Sequence, residues 1–525
     1  YGIPFVPSYF LQAEMTNPLF LTLFCKHYTG ENFDMFTLFE QLINRTDMEA
    51  QKVVGITVFV PILQHLVEEL AEIRLTKENW DITKPELFGL RFWDTYGLSS
   101  QKIPFIAALE RSGLLNSIIV SDTESYYLGY NLLEDFVCAK QIFKRYHNYD
   151  KSALLLYVQN DLLKIEQGQI NNYFNIDIFI IICSLYAEYY HEECFTTIFA
   201  LVTDESDQND ISDRYIKSFL WRKASAINST DFITYINEYG APRSSVLRVL
   251  IENSTKENHP LNAFFLHSIL ENKPIAQRDY LWTTYINDLA NREERLFQLV
   301  TYFDGGNLLN GLSGPNTELL LILFTWLLTS SNRMLRDKAS KASIELLKRN
   351  FSLCKPLLQR FEKINDPYVI QRLLGIVFGA CVKRSEIAID TYRELVEYVY
   401  NLVFNQETVC PDILMRDYAR LILERWIYEF PDDCDFIDAV KIRPPYRSTE
   451  IPHVKGQEYY NKEIAHSGFN SIDFSMRINH SECPGMYGDF GRYTFQAALE
   501  RFEAVDVVNL YHYAMQYIRD TLGYS

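Results

Sequence analysis

The chain has 525 residues, 48% apolar and 22% charged, a globular composition that excludes disordered and collagen-like classes. Fifty lysines and arginines face 68 aspartates and glutamates, a formal charge of −18, so the long-range field repels phosphate and speaks against direct nucleic-acid or anionic-lipid binding. An aromatic share of 14% favours large cores or extended binding faces, and length alone sets a prior of about three domains. The nine cysteines are scattered from Cys25 to Cys483 without a Cys-x-x-Cys pair, which suits reduced thiols and a cytoplasmic location. The first residue is Tyr1 and no signal segment follows; a piece of a longer protein is expected.

Helical periodicity dominates. Asn17-Pro18 opens the first clear helix, Asn as N-cap and Pro in the first turn. Further helices are expected at 33–45 and 48–73, the latter kinked or broken at Pro61. Helix signals at 85–95 and 102–112 precede Ile118–Val120, a polar turn Ser121–Ser125, and Tyr126–Tyr130. Two β-rich runs around a polar turn make a hairpin, and a helix from Asn131 follows. Helix, helix, hairpin, helix is the order of a winged-helix module. From 148 onward only helices are read, with short polar breaks. Two long apolar runs, Ile176–Cys183 and Leu319–Leu328, fall short of the roughly 18 residues a bilayer span needs and read as buried helices, so no membrane partner is expected.

The acidic stretch Asp204–Asp213 reads as a solvated loop. Arg336-Asp337-Lys338-Ala339 and Arg416-Asp417-Tyr418-Ala419 share a pattern 80 residues apart, two units of the roughly 40 residues of a HEAT-type helix pair. Asp366-Pro367-Tyr368-Val369 and Arg372 lie between them and resemble the turn and the Val and Arg positions of such a repeat. In a stack each pair covers the apolar face left open by its neighbour, and the Arg and Asp are expected to bridge repeats. Pro444-Pro445 and Pro452 imply an extended strap at 441–460. Gly485–Tyr493 and the helices after it are read as a C-terminal cap.

Chemistry-bearing motifs are thin. No Gly-x-x-x-x-Gly-Lys-Ser/Thr phosphate loop is present, and no Gly-x-Ser-x-Gly elbow. His191-Glu192-Glu193-Cys194 and His480-Ser481-Glu482-Cys483 each offer two ligands, short of the set zinc takes, and read as surface positions. Asp432, Asp433 and Asp435 after Pro431 read as a helix N-terminal cap. Arg443–Arg447 and Arg492-Tyr493 are basic and aromatic, suited to an acidic partner surface or to tying a strap down. No catalytic or metal residue is assigned; an enzyme with a spatially assembled site in 148–525 is the least favoured class.

Several segments resemble the STAND NTPases, and among them the NACHT-type bacterial antiviral proteins that sense phage. Asn17-Pro18-Leu19-Phe20-Leu21 looks like the motif after the ATPase core, whose proline lies against the nucleotide base; Pro18 matches it. Leu128-Gly129-Tyr130 before Glu134-Asp135-Phe136-Val137-Cys138-Ala139 looks like the closing helix of the family's winged helix, with Tyr130 where the family has a phosphate-contacting histidine. Arg278–Thr283, Trp326–Asp337 and Tyr487–Tyr493 look like stretches of the long helical regions of the antiviral members.

The resemblance implies a mainly α fold: a helical domain (1–75), a winged helix (76–147), then an α-solenoid of HEAT/TPR-like repeats, irregular over 148–318 and HEAT-like over 319–440, closed by a strap and cap (441–525). It implies a sensor that binds a phage structural or packaging protein of the terminase or portal type, with oligomerisation and effector activation in the full-length protein. ATP or ADP and Mg are implied for that protein, none for this stretch, which is expected to be no enzyme by itself. Pro18 and Tyr130 would then be nucleotide-adjacent. A general helical-repeat scaffold for a host protein is the alternative.

Overall fold

The computed structural model describes residues 6–28, 34–56, 60–77, 81–120, 123–146, 150–306, 312–384 and 388–448, and four isolated positions beyond. The chain forms two compact units, Tyr1–Ser448 and Thr449–Ser525. Apart from the isolated positions Asp489 and Tyr493, the pattern read at Gly485–Tyr493 lies outside the described residues, as do the strap residues 449–460 with Pro452, the His480–Cys483 pair and the expected C-terminal cap.

The fold is mainly α. Helix α1 (Pro7–Leu11) and a 3-10 turn (Ala13–Thr16) lead into α2 (Pro18–His27). Asn17 caps α2, its Oδ1 accepting from the N–H of Leu19 and Phe20 at 3.0 and 3.4 Å, with Pro18 in the first turn as its fixed φ allows. Helix α3 (Met35–Val53) runs unbroken where two helices were expected. Asp47, a poor helix former by propensity, is buried inside it; its carboxylate accepts from Gln51 Nε2 at 2.8 Å and from the N–H of Leu63 at 2.9 Å. It thereby satisfies an orphan amide at the start of α4 (Leu63–Lys77). Pro61 lies in the break between the two helices.

A three-stranded antiparallel sheet follows, order β1-β3-β2, from β1 (Ile82–Thr83), β2 (Leu115–Val120) and β3 (Thr123–Leu128). Between β1 and β2 come α5 (Lys84–Phe88), α6 (Phe92–Thr95) and α7 (Lys102–Ser112), and α8 (Asn131–Tyr146) closes the set. With α4 in front, this is the element order of a winged helix. Three details differ from expectation. The helix expected at 85–95 is two, α5 and α6, parted after Gly89. Strand β1 has two residues, too few to show alternation. The turn read at Ser121–Ser125 is shorter, because Thr123, Glu124 and Ser125 pair with Val120, Ile119 and Ile118.

Two glycines fix the exit of the hairpin. Gly113 ends α7 at φ 83°, a left-handed C-cap that glycine adopts without penalty. A Cβ on Gly129 would fall 2.1 Å from the carbonyl oxygen of Gly113, so the backbones can meet only if residue 129 has no side chain.

Beyond α8 the chain is not purely helical. Helix α9 (Lys151–Tyr157) is followed by a small hairpin, β4 (Ile165–Glu166) with β5 (Gln169–Ile170). Its turn residues Gln167 and Gly168 both have positive φ, 50° and 79°, the two-residue turn that suits strand twist. The helices then run α10 (Ile176–Tyr190), α11 (Phe195–Phe199), α12 (Glu205–Ser218), α13 (Ser229–Glu238), α14 (Arg243–Asn253), α15 (Ala263–Glu271), α16 (Ile275–Arg278), α17 (Thr284–Asn291) and α18 (Arg295–Asp304). After them come α19 (Gly314–Leu327), α20 (Arg333–Leu347), α21 (Cys354–Phe361), α22 (Pro367–Lys383), α23 (Ile389–Val403) and α24 (Ile413–Glu429). Helices α8, α10, α12 and α14 pack one against the next, and so do α18, α20, α22 and α24. Both long apolar runs are buried, in α10 and α19.

The acidic stretch is a helix, not a loop. Asp204 caps α12, Asp210 pairs with Arg214 at 3.1 Å and Asp213 with Lys217 at 2.5 Å, both one turn on. Asp207 is buried, accepting from the N–H of Ile170 at 2.7 Å.

The 80-residue repeat carries through to packing. Residues 331–340 and 411–420 have the same burial pattern, position for position. Arg336 lies over the ring of Tyr368 at 5.4 Å and Arg416 over that of Tyr446 at 4.6 Å. Asp337 bridges helices, pairing with Arg372 at 2.8 Å, whereas Asp417 pairs within α24, with Arg420. Residues 446–448 thus lie where a further repeat would supply its tyrosine, held by the N–H of Val409 donated to the carbonyl of Arg447 at 2.8 Å. Arg443 and Arg447 face Glu424 and Glu407 at 3.6 and 4.0 Å.

Gly129→Ala is expected to destabilise the first unit by about 3 kcal/mol through overpacking against backbone that cannot give way, read as a lower urea midpoint with unchanged slope.

Candidate functional site

Pro18 and Tyr130 are 112 positions apart in sequence; Tyr130 lies in an aromatic cluster with Phe20, two residues beyond Pro18. Pro18 is exposed at the head of α2, and Phe20, two residues on, is buried. The Tyr130 ring lies 5.6 Å from Phe20 and 6.0 Å from Phe39 of α3. The Tyr130 carbonyl accepts from the N–H groups of Leu133 and Glu134 at 2.9 and 3.1 Å, starting α8, so the ring is aimed by the first turn of that helix and by the Gly113–Gly129 contact behind it.

The Tyr130 hydroxyl donates to a carboxylate oxygen of Glu14. Burial, together with that carboxylate, pushes the phenol far above its ordinary range and keeps it protonated. A phosphate oxygen seeking the same hydrogen would have to displace Glu14 and then sit beside its negative charge. In this arrangement Tyr130 does not fit the phosphate contact of the family's histidine.

Glu14 belongs to a segment held from far along the chain. Glu252 on α14 accepts from the N–H of Ala13 at 3.2 Å and from Arg248 Nε at 2.7 Å. Arg295, heading α18, donates to the carbonyls of Phe10 and Gln12, the former at 2.6 Å. Residues 10–14 are therefore gripped by α14 and α18 and touch the head of α8 through Glu14. Glu14, Glu252 and Arg295 carry no sequence signal: each is an ordinary helix-end or surface residue until the fold places it.

A second cluster lies one turn into α8. Glu134 and Asp135 are buried, and Glu134 Oε1 lies 3.4 Å from Nε of buried Arg74 on α4. Burial raises Glu134 to about 8 against the pull of Arg74, and burial with the nearby Asp177 charge raises Asp135 to about 7. The acidic pair that resembles the family motif thus ties α8 to α4 inside the module.

The remaining motifs are structural. Buried Arg278 donates to Asn365 Oδ1 at 2.7 Å and pairs with Asp366, the cap of α22, at 3.4 Å. Trp282 donates its indole N–H to the Trp326 carbonyl at 2.9 Å. His191–Cys194 is the connection between α10 and α11, not a helical surface: His191 adopts φ 56°, and Glu193 is tied to buried Arg222 at 2.6 Å. Asp432–Asp435 caps no helix. It follows α24, where the Asp433 carbonyl accepts the Trp426 indole N–H at 2.7 Å. Among the described residues no group of three or more His, Cys, Asp or Glu is arranged to hold a metal, and no helix is long and apolar enough to cross a membrane.

No family model matches the chain, and no curated protein or solved structure shows significant similarity to it.

Tyr130→Phe is expected to cost about 2 kcal/mol, the value of a hydrogen bond to a charged group, read by chemical denaturation at pH 7; Glu14→Gln, which can still accept the hydroxyl, is expected to cost less. The folded chain holds the Glu134 proton that the unfolded chain releases above the ordinary 4.5, so its stabilisation is complete below that pH and is lost as pH rises through about 8. The urea midpoint should therefore fall between pH 5 and pH 8, and Glu134→Gln should flatten that slope.

Proposed function

We propose that this chain is the rear of the switch module and the sensor of an antiviral STAND NTPase of NACHT type. It would bind a phage structural or packaging protein through its stacked helices and so drive oligomerisation and effector activation. The observation that carries the reading is that Glu14, in the segment that Glu252 and Arg295 grip, meets Tyr130 at the head of α8, whose ring packs on Phe20 of α2. A motif at the head of α2, the last helix of a winged-helix arrangement and the start of the helical array share one joint. A partner that moves the array relative to that joint would change what Pro18 and Tyr130 present, as a switch requires: the ligand must favour one arrangement over the other.

In the complete protein ATP or ADP with Mg would supply the energy of the switch from an upstream core. Exposed Pro18 fits an apolar wall for a base. Tyr130, engaged by Glu14, fits no phosphate contact, so closed-state nucleotide retention would rest on Pro18 and on the core.

Co-expression of the full-length protein with a panel of phage terminases and portals tests the reading. Growth arrest and co-purification with one of them is expected, with no ATP turnover by the 525-residue chain alone. ATP hydrolysis by that chain, or silence across the panel with capture of a host protein instead, would overturn it.

A further inference from the structure

One face of the array runs against the charge of the chain. Helix α20 carries Arg333, Arg336 and Lys341 on this side, its Lys338 being turned to Asp304 of α18 at 3.5 Å, and α22 carries Arg372 and Lys383 against no acidic residue, in a chain of net charge −18. The carboxylates between these helices are each shared by two cations. Asp337 lies 3.5 Å from Arg333 and 2.8 Å from Arg372. Glu345 lies 3.3 Å from Lys383 and pairs also with Lys348. One negative charge between two positive ones leaves an excess that a further anion can meet. The outermost cations are open to water: the Arg333 side chain is 88% and that of Lys383 58% exposed.

The neighbouring helix supplies a different surface. On α24, Ile413 is 73% and Tyr428 81% exposed, and Leu414 stands at the position equivalent to the open Met334 of α20. Helix α22 joins the two surfaces without a ridge. Added Cβ atoms at Gly375 and Gly379 would fall 3.1 Å from the Tyr418 ring of α24 and 2.6 Å from Ile344 of α20, so the flanking helices close over its glycines. The result is a basic strip beside apolar side chains at the two ends of α24, Asp417 and Glu424 lying between those ends, with Arg336 and Arg372 stacked on Tyr368 beside them. Guanidinium groups match carboxylates in a planar fork.

We propose that this face binds an acidic, amphipathic segment of a partner protein, its carboxylates over α20 and α22 and its apolar side chains over α24. The assignment gives the chemistry of the partner proposed above and rests on that reading for the partner being a protein. A nucleic acid is the poorer match, because a long polyphosphate feels the field of the whole acidic chain, whereas a short segment meets only the local cations.

A random copolymer of glutamate and tyrosine is the probe. Mixed with the 525-residue chain and joined by a zero-length carbodiimide, it should couple mainly at Lys341, Lys348 and Lys383, mapped by mass spectrometry. Fluorescence anisotropy should show salt-dependent binding that falls about tenfold or more in Arg333→Glu/Lys341→Glu/Lys383→Glu, as expected when complementary charges are reversed. Lys52→Glu/Arg111→Glu, exposed positions elsewhere, should leave it unchanged. Cross-links spread over other lysines, equal loss in both variants, or tighter binding of an oligothymidylate would overturn the assignment. A triple variant of the full-length protein that keeps its phage response also overturns this surface and leaves the proposed function standing. Copolymer binding with silence across the phage panel does the reverse.

Discussion

The backbone of residues 10–13 is held by charged groups from α14 and α18, and the front of the molecule is positioned by that grip. Arg295 takes two carbonyls, while the buried Glu252 takes one amide and one arginine. Removing charges from water is costly unless they find partners; apart from Arg248 beside Glu252, the partners here are main-chain groups, which cannot rotate away as side chains can. Once the segment is docked, Glu14 has one place to be, beside Tyr130. Tyr130 heads α8, and α8 carries the buried acids that meet Arg74 on α4. The chain of dependence runs from α14 and α18 through residues 10–14 to α8 and α4, by contacts that are buried or half-buried.

The array solves its own problem of ending. A stack of helices leaves its last face open, and α24 would present Arg416 to water as α20 would present Arg336 without α22. Tyr446 covers the first as Tyr368 covers the second. The stretch after α24, residues 430–448, does this in place of a helix pair, and Asp417, with no next helix to reach, turns back to Arg420. The same residues bridge inside the stack and fold inward at its edge.

Local signals were legible where local physics decides. The N-cap at Asn17, the paired helices and hairpin before Tyr130, the buried runs at Ile176 and Leu319 and the repeat at Arg336 and Arg416 all follow from capping, alternation and periodicity. The failures were of two kinds. Some were misread local cues: the i,i+4 pairs Asp210–Arg214 and Asp213–Lys217 mark a helix, and Gln167-Gly168 marks a tight turn. Others were never local. Asp47 looks like a helix breaker until Leu63 needs its carboxylate, and Tyr130 looks like a substitute phosphate donor until Glu14 takes its hydrogen. Tyr130 was picked by resemblance, and the fold packs it on Phe20 and Phe39; the main-chain bonds that Glu252 and Arg295 make to residues 10–13 span 239 positions or more and leave no pattern in the sequence.

Those long separations govern the order in which the chain assembles. Bonds from Phe10 and Ala13 to residues 295 and 252 span 285 and 239 positions, and closing loops of that size is slow compared with forming neighbouring helices. A chain leaving the ribosome from its N-terminus exposes residues 7–16 long before α14 and α18 exist. Until then Glu14 can reach Tyr130, but the backbone of residues 10–13 lacks the groups that hold it. Its final seating therefore requires that α14 and α18 have formed but not α20 to α24, and any chain truncated before Arg295 keeps this segment unlatched.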